Sequence, residues 1–145
     1  MTQRRLKLPA LDFASLDAAN KITPFKMTTV AWQTTIDAVD LDGFGDYTYV
    51  FRFYGHIIGQ ISKDEAYLTN AGYDTSTTAA RLNAIAVANK LNVYVGLTNR
   101  KTVLRDAARR DIATFEAMGD GVLFNRSPIA PAGWARRAVS GITVW

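Results

Sequence analysis

The segment from Tyr47 to Tyr54 is the strongest constraint on the fold, because its side chains alternate in character along its whole length. Successive side chains of a β-strand point to opposite faces, so this spacing places every second residue on one face. One face of such a strand carries an aromatic row, Tyr47, Tyr49, Phe51 and Phe53, and the other carries Thr48, Val50, Arg52 and Tyr54. An aromatic row of this kind predicts a strand that faces a buried core.

Further strands are predicted on both sides of this segment from runs of β-branched and apolar residues separated by turn-forming residues. Within the first of these runs, Val30, Trp32 and Ile36 are expected to share a face. After Gly55, Ile57 and Ile61 are expected to lie on one side of the next strand. The predicted strands cover residues 28–36, 56–62, 66–69, 93–97 and 101–105, with a turn at Asn99-Arg100.

One principal helix is predicted over residues 76–91. Thr75, Ser76 or Thr77 could cap its start by accepting a hydrogen bond from a free backbone amide. Its apolar stripe is formed by Leu82, Ile85 and Ala86, with Asn89 at the same spacing. Residues 106–118 fit either a second helix or part of a hairpin in which residues 101–106 pair with residues 121–125, and the sequence leaves both interpretations open.

The order of these elements predicts an α+β domain in which an antiparallel sheet of about five strands is packed by the helix at 76–91. The domain is expected to span residues 26–126, between an irregular N-terminal arm (1–25) and an extended C-terminal tail (127–145). The arm could contain one short turn of helix, near residues 15–20. The chain has 145 residues and no cysteine, so its core must form without disulfides or thiolate metal sites. No apolar run approaches the length of a membrane span, and no secretory leader is apparent. The protein is therefore expected to be cytoplasmic.

Charge is distributed unevenly along the chain. Residues 1–75 carry seven basic and nine acidic side chains, whereas residues 76–145 carry ten basic and four acidic ones. A basic surface of this kind could bind the phosphates of a nucleic acid, with Arg100, Lys101, Arg105, Arg109 and Arg110 as the candidate contacts. The structural alternative is that both are solvent-exposed faces whose basic and acidic side chains pair with each other in the fold.

Signatures of catalysis and metal binding are weak. The aspartates around Asp40 resemble an EF-hand loop, but Phe44 and Phe51 occupy the fifth and twelfth positions, where oxygen ligands are required. His56 is the single histidine, and no nucleophile elbow or phosphate-binding glycine loop accompanies it. We therefore expect no enzyme activity, no cofactor and no metal.

Residues 45–83 contain a longer pattern, in which Phe51-Arg52-Phe53-Tyr54-Gly55-His56 is followed by Asn70-Ala71-Gly72-Tyr73-Asp74 and then by Thr77-Thr78, Arg81 and Asn83. This order, with a Thr-Thr-x-x-Arg-x-Asn helix start, resembles small proteins of bacteriophages and related mobile elements. The later Gly119-Asp120-Gly121 turn before an apolar strand matches them more loosely. The resemblance implies a phage-encoded protein in the bacterial cytoplasm and favours the hairpin for residues 101–125. It implies a setting and a fold, but no activity.

The start of the predicted helix is also the candidate binding site. Several hydroxyls beside free backbone amides can bind an anion, and an arginine one turn later can point at the same ligand. The hypothesis is a partner- or phosphate-binding surface formed by Tyr73, Thr75, Thr77, Thr78 and Arg81. The structural alternative is that one hydroxyl caps the helix while Arg81 pairs with Asp74 or Asp64.

Three functions are consistent with these features. The first is a small phage accessory protein that acts by binding, most plausibly to a host protein, without catalysis. The second is nucleic-acid binding through the basic second half. The third is a virion or assembly component, in which Trp134 and Trp145 of the tail would support homo-oligomerisation.

Overall fold

The computed structural model describes residues 11–40 and 43–126. Within them the helices are α1 (Phe13–Ile22), α2 (Ser76–Ala88) and a 3-10 turn (Glu116–Met118). The strands are β1 (Thr28–Ala31), β2 (Thr34–Asp40), β3 (Tyr47–Phe53), β4 (His56–Ile61), β5 (Glu65–Thr69), β6 (Tyr94–Thr98), β7 (Lys101–Arg105), β8 (Asp111–Thr114) and β9 (Gly121–Asn125).

The strands form two antiparallel sheets. The larger sheet has the order β1-β2-β3-β4-β5-β9, and the smaller one has the order β6-β7-β8. Helix α2 contacts both β4 and β6, so its apolar face is shared between the sheets. The α+β class is confirmed, with six strands in the first sheet. Strands β6 to β8 follow α2 and form a sheet of their own, whereas β9 extends the first sheet beside β5.

The aromatic strand is confirmed. Tyr49 and Phe51 of β3 are fully buried and Phe53 is nearly so, whereas Tyr47 at the end of the row is half-buried. The chain then turns through Tyr54 and Gly55, both with positive φ (53° and 80°), as a two-residue hairpin requires. Glycine takes this conformation without strain, which fixes the β3–β4 register at this end.

A bulge in β4 changes the expected facing of its isoleucines. Phe51 pairs with Gly59, but its neighbour Arg52 pairs with Ile57, so Ile58 is an extra residue in β4. Ile58 and Ile61 are therefore buried, and the expectation that Ile57 shares the side of Ile61 is wrong. A Cβ at Gly59 would lie 3.2 Å from the Ile85 side chain, so the missing side chain lets α2 approach this strand.

Residues 28–36 form a hairpin and not the single strand expected from their composition. Strands β1 and β2 are joined by Trp32 and Gln33, and Gln33 has a positive φ of 52°. Trp32 therefore lies at a turn with 55% of its surface exposed, while Ile36 is buried. The common face expected for Val30, Trp32 and Ile36 is wrong because the chain reverses between them.

Helix α2 begins where its hydroxyl residues predict and ends earlier than expected. Thr75 is the N-cap and accepts a hydrogen bond from the Thr78 backbone amide. The helix ends at Ala88 because Lys90 and Asn92 have positive φ, which an α-helix cannot accommodate. The turn at Asn99-Arg100 between β6 and β7 is present as expected.

In the part of the N-terminal arm that the structure describes, the short turn of helix expected near residues 15–20 is present as the longer helix α1. Asp12 caps α1 by accepting a hydrogen bond from the Ser15 amide, and Leu16 of this helix is fully buried. Asn89 holds α1 in place, because its side chain accepts from Phe13 N (2.9 Å) and donates to Leu11 O (3.1 Å). Burial and this long-range anchor dock the segment, and neither is visible in a local pattern.

Residues 106–118 form no α-helix. Strand β7 forms a hairpin with β8, and β9 pairs with β5 instead of with residues 101–106. The Asp106 side chain accepts hydrogen bonds from the amides of Ala108 and Arg110, which stabilises the tight loop before β8. A hairpin is therefore present, with a different partner strand from the one expected.

The expected tail at 127–145, with Trp134 and Trp145, lies outside the described residues. Among the described residues, the helices are all too short or too polar to cross a membrane.

Candidate functional site

The candidate site is built on the loop between β5 and α2. Asn70 shapes this loop, because its side chain accepts a hydrogen bond from Gly72 N (2.9 Å) and its carbonyl accepts one from Tyr73 N (2.8 Å). Ala71 and Gly72 both have positive φ, which reverses the chain before the helix. The loop therefore presents Tyr73 outward, with 49% of its surface exposed.

Asp74 fastens the same loop to the smaller sheet. Its Oδ1 accepts hydrogen bonds from Thr102 N (2.7 Å), Thr102 Oγ1 (2.8 Å) and Asn70 Nδ2 (3.2 Å). Burial by itself would raise the pKa of Asp74, but these hydrogen bonds and the charge of Lys101 outweigh it, so the pKa is lowered. The carboxylate is thus a fixed acceptor for two buried residues, Asn70 and Thr102.

A cavity of about 460 Å³ lies between this loop and the two hairpins of the larger sheet. It is lined by Trp32 from the β1–β2 turn, by Phe53, Tyr54, His56 and Ile58 from the β3–β4 hairpin, and by Asn70, Ala71, Tyr73, Thr75, Thr77 and Thr78 from the loop and the first turn of α2. We call this cavity with its lining the aromatic pocket. Its walls come from three separate parts of the chain.

Two groups of rings form the aromatic walls. Trp32 packs edge-to-face on Tyr54, with ring centroids 5.2 Å apart, and on Phe53 at 6.1 Å. Tyr73 and His56 form the second group, with centroids 5.0 Å apart and Tyr73 Oη 3.3 Å from His56 Nε2. Trp32, Tyr54 and Tyr73 are each about half exposed. Apolar rings therefore remain accessible to a ligand at this place.

The structure brings four of the five residues of the anion-site hypothesis to this pocket. Tyr73, Thr75, Thr77 and Thr78 line it. Thr75 and Thr78 also bond to each other, since their hydroxyls are 2.9 Å apart and Thr75 caps the helix. Thr77 is half-buried at the same wall. Thr75 and Thr78 therefore have both a structural role and a place in the pocket.

Arg81, the fifth residue, lies behind the pocket wall instead of on its surface. It is 9% exposed, and its Nε donates to Thr34 Oγ1 at 2.6 Å while Nη2 donates to the Trp32 carbonyl at 3.2 Å. Its guanidinium carbon is 4.7 Å from the centre of the Phe53 ring. The expected pairing with Asp74 or Asp64 does not form. Arg81 instead connects α2 to the turn that carries Trp32.

Seven pocket residues are not among the site residues expected from the sequence, namely Trp32, Phe53, Tyr54, His56, Ile58, Asn70 and Ala71. The spacing of the aromatic strand predicts a core position for Phe53 and a bend at Gly55, and it does not predict a pocket beside them. An aromatic residue directly before a turn glycine, as at Tyr54, is a signal for exposure that could have been used. Trp32 gave no such signal, because its hairpin was not recognised.

The basic residues of the nucleic-acid hypothesis lie on the smaller sheet, and three of the five are ion-paired. Lys101 pairs with Glu116 (2.9 Å), Arg105 with Asp111 (2.9 Å) and Arg110 with Asp106 (3.1 Å). Arg109 stacks over the Tyr94 ring at 4.3 Å, and Arg100 is exposed at the β6–β7 turn. The pairing with nearby carboxylates reduces the positive field that this surface can offer to phosphates.

The chemistry of the aromatic pocket is suited to binding. Its lining supplies aromatic faces, hydroxyl groups, one amide and one imidazole. Across residues 11–40 and 43–126, no cluster of three or more acidic or histidine side chains could hold a metal ion. An accessible apolar cavity with a few polar groups is typical of a ligand- or partner-binding site.

Comparison with known proteins identifies the family. The family model of the Kyanoviridae Gp96 protein matches residues 18–123, a range that includes every residue of the aromatic pocket. The chain therefore belongs to this bacteriophage protein family, which confirms the resemblance to phage proteins. No curated protein and no solved structure matches the chain significantly.

Proposed function

We propose that this member of the Kyanoviridae Gp96 family acts by binding a protein of the bacterial host through the aromatic pocket, in the host cytoplasm and without catalysis. The observation that carries the proposal is the convergence of Trp32, Tyr54 and Tyr73, each half exposed, around a cavity that is already open. Tryptophan and tyrosine are the residues that most often contribute large binding energies at protein interfaces.

The pocket is also pre-organised. Arg81 holds the backbone of the Trp32 turn, and Asp74 holds the loop that carries Tyr73. A site whose walls are fixed before binding loses less conformational entropy on association. Such rigid aromatic walls suit the insertion of an apolar side chain from a partner.

Nucleic-acid binding has weaker support, since Lys101, Arg105 and Arg110 are already paired with carboxylates. A virion role that depends on Trp134 and Trp145 would involve the tail, outside the described residues. The pocket proposal draws on neither feature.

The proposal predicts that a Trp32→Ala/Tyr73→Ala double variant loses its partner while remaining folded. Both side chains are about half exposed, so their removal should cost little stability, whereas the pocket loses two walls. The matched control is Ile22→Ala, which removes a side chain that is 85% exposed on α1. Tagged wild-type and variant proteins are compared by capture from bacterial lysate with nuclease, followed by calorimetry with the purified captured protein.

We expect wild type and Ile22→Ala to bind that protein with equal affinity and the double variant to bind it at least tenfold more weakly, roughly the loss of one interface anchor. Equal binding by the double variant would contradict the proposal. Capture of nucleic acid, with all proteins lost after nuclease treatment, would favour the basic surface instead.

A further inference from the structure

The charge around the aromatic pocket selects the kind of peptide that it can hold. Resting on the function proposed above, we propose that the partner presents an acidic segment, in which an apolar side chain fills the pocket and a neighbouring carboxylate interacts with the positive charge of Arg81. The shape of the pocket accepts an apolar side chain, and the charge around it favours acidic neighbours of that side chain.

The main observation is a buried cation without a carboxylate partner. The Arg81 guanidinium is hydrogen-bonded to a hydroxyl and a carbonyl, both neutral, and it lies against the inner face of Phe53. Among the described residues, no carboxylate forms an ion pair with it. The only acidic side chain outside those residues is Asp42. Within residues 11–40 and 43–126, the positive charge of Arg81 is therefore not cancelled by an ion pair.

Among the residues that the structure describes, no acidic side chain lines the pocket. Asp74, the acid nearest in sequence, is turned toward the smaller sheet and is occupied by Thr102 and Asn70. Asp64, the other expected partner of Arg81, lies in the β4–β5 turn, where its carbonyl accepts a hydrogen bond from Arg126 N. Burial lowers the pKa of the Arg126 guanidinium, and the charge of the Asp64 carboxylate raises it by a smaller amount. Neither Asp74 nor Asp64 forms an ion pair with Arg81.

The start of α2 adds to the positive electrostatic potential on this side of the pocket. Thr75, Thr77 and Thr78 belong to the cap and first turn of the helix and also line the pocket. The N-terminal end of a helix carries a partial positive charge. Two positive sources on one side of an aromatic cavity, with no lining carboxylate, give complementarity to a negatively charged apolar segment.

The burial of Arg81 makes its charge more effective. Removal from water lowers the pKa of the Arg81 guanidinium, although an arginine remains protonated. A charge that is little hydrated and poorly screened interacts with a ligand charge more strongly than an exposed one. An apolar ligand that displaces water from the pocket would strengthen this interaction further.

The test compares two acetylated hexapeptides by isothermal titration calorimetry. One has Phe-Trp flanked by Asp and Glu, and the other has the same core flanked by the neutral isosteres Asn and Gln. Each is titrated into wild type, Arg81→Met and Arg81→Lys, and urea unfolding shows that each variant is folded. Arg100→Gln controls for net charge, because Arg100 is exposed at the β6–β7 turn and does not line the pocket.

We expect the acidic peptide to bind wild type about tenfold more tightly than the neutral peptide, as one charge interaction at moderate effective dielectric allows. This preference should persist in Arg81→Lys and Arg100→Gln and disappear in Arg81→Met. If Arg81→Met does not fold, the salt dependence of peptide binding to wild type tests the inference instead. Raising NaCl from about 50 to about 500 mM should lower the affinity of the acidic peptide and leave that of the neutral peptide unchanged.

Two results would contradict the inference of an acidic segment and would leave the proposed function unaffected. They are equal affinities of the two peptides for wild type, and a preference for the acidic peptide that survives in folded Arg81→Met. Failure of the proposed function has a different signature, since peptide binding would then be unchanged in the Trp32→Ala/Tyr73→Ala variant. Failure of the acidic peptide to bind wild type would also overturn the inference.

Discussion

Replacing Asp74 with alanine is expected to lower the free energy of unfolding by about 3 kcal/mol, because hydrogen bonds to a charged acceptor are among the stronger ones and their loss leaves donors unsatisfied. The donors are Thr102 N, Thr102 Oγ1 and Asn70 Nδ2, and both residues are almost completely buried. Urea unfolding measures the effect. The loop that carries Tyr73 loses its anchor at the same time, so pocket binding should weaken together with stability.

Two comparison variants show whether the loss of stability in Asp74→Ala comes from these hydrogen bonds. Asp74→Asn keeps one acceptor oxygen without the charge and should cost about half as much, because neutral hydrogen bonds are weaker. Asp46→Ala breaks an exposed ion pair with Lys63 and should change stability by less than about 0.5 kcal/mol. A loss of under about 1 kcal/mol in Asp74→Ala would show that the loop is held by other contacts.

The contribution of Asp74 to the free energy of unfolding is expected to depend on pH. The pKa of Asp74 is lowered in the folded protein, so its charged form stabilises the fold above the unfolded pKa of about 3.9. That contribution decreases as the pH falls through the folded value. We therefore expect the stability difference between wild type and Asp74→Asn to be largest near neutral pH and to shrink toward about pH 2. A difference that stays constant over this range would contradict the lowered pKa.

Replacing Asn89 with alanine is expected to cost about 2 kcal/mol and to release α1 from the domain. Its buried amide connects the start of α1 to the end of α2, since it bonds Leu11 O, Phe13 N and Ile85 O. Removing it leaves the first two groups without these partners at a packed helix end. Urea unfolding gives the cost, and hydrogen exchange should show faster exchange in α1 than in α2.

Asp12→Ala is the comparison for this variant. It removes the N-cap of α1, whose hydrogen bonds to Ser15 are exposed, and should cost about 1 kcal/mol. If Asn89→Ala costs no more than Asp12→Ala, then α1 is held by its apolar contacts through Leu16 and not by the Asn89 anchor.

Local patterns predicted the elements that are strongly periodic. The β3 aromatic row, the start of α2 at its hydroxyl-rich cap and the β6–β7 turn all follow from the spacing and type of neighbouring residues. The β1–β2 turn and the bulge in β4 are local features that this spacing did not indicate. Other differences lie where distant contacts decide the conformation. Helix α1 is held by Asn89, and β9 pairs with β5 although β7 is closer in sequence.

The candidate site also contains residues that local sequence groups together and one residue whose contacts depend on tertiary packing. Tyr73 and the threonines form one group in the hypothesis because they are neighbours in the chain, and the structure places them in one pocket. Arg81 lies one turn further along α2, but its side chain passes behind Phe53 to the Trp32 turn. Helical spacing specifies the side of α2 on which Arg81 lies. It does not specify which hairpin packs against that side.

The sequence by itself determined the α+β class, the buried aromatic strand, the cap of α2 and the resemblance to phage proteins, since periodicity, capping and turn chemistry act over a few residues. Only the tertiary structure decided that Trp32, Tyr54 and Tyr73 meet around one cavity and that Arg81 is buried without a carboxylate partner among the described residues. These properties depend on the packing of segments far apart in the chain. Packing of that kind is set by the shape and burial of the whole domain and leaves no local signal.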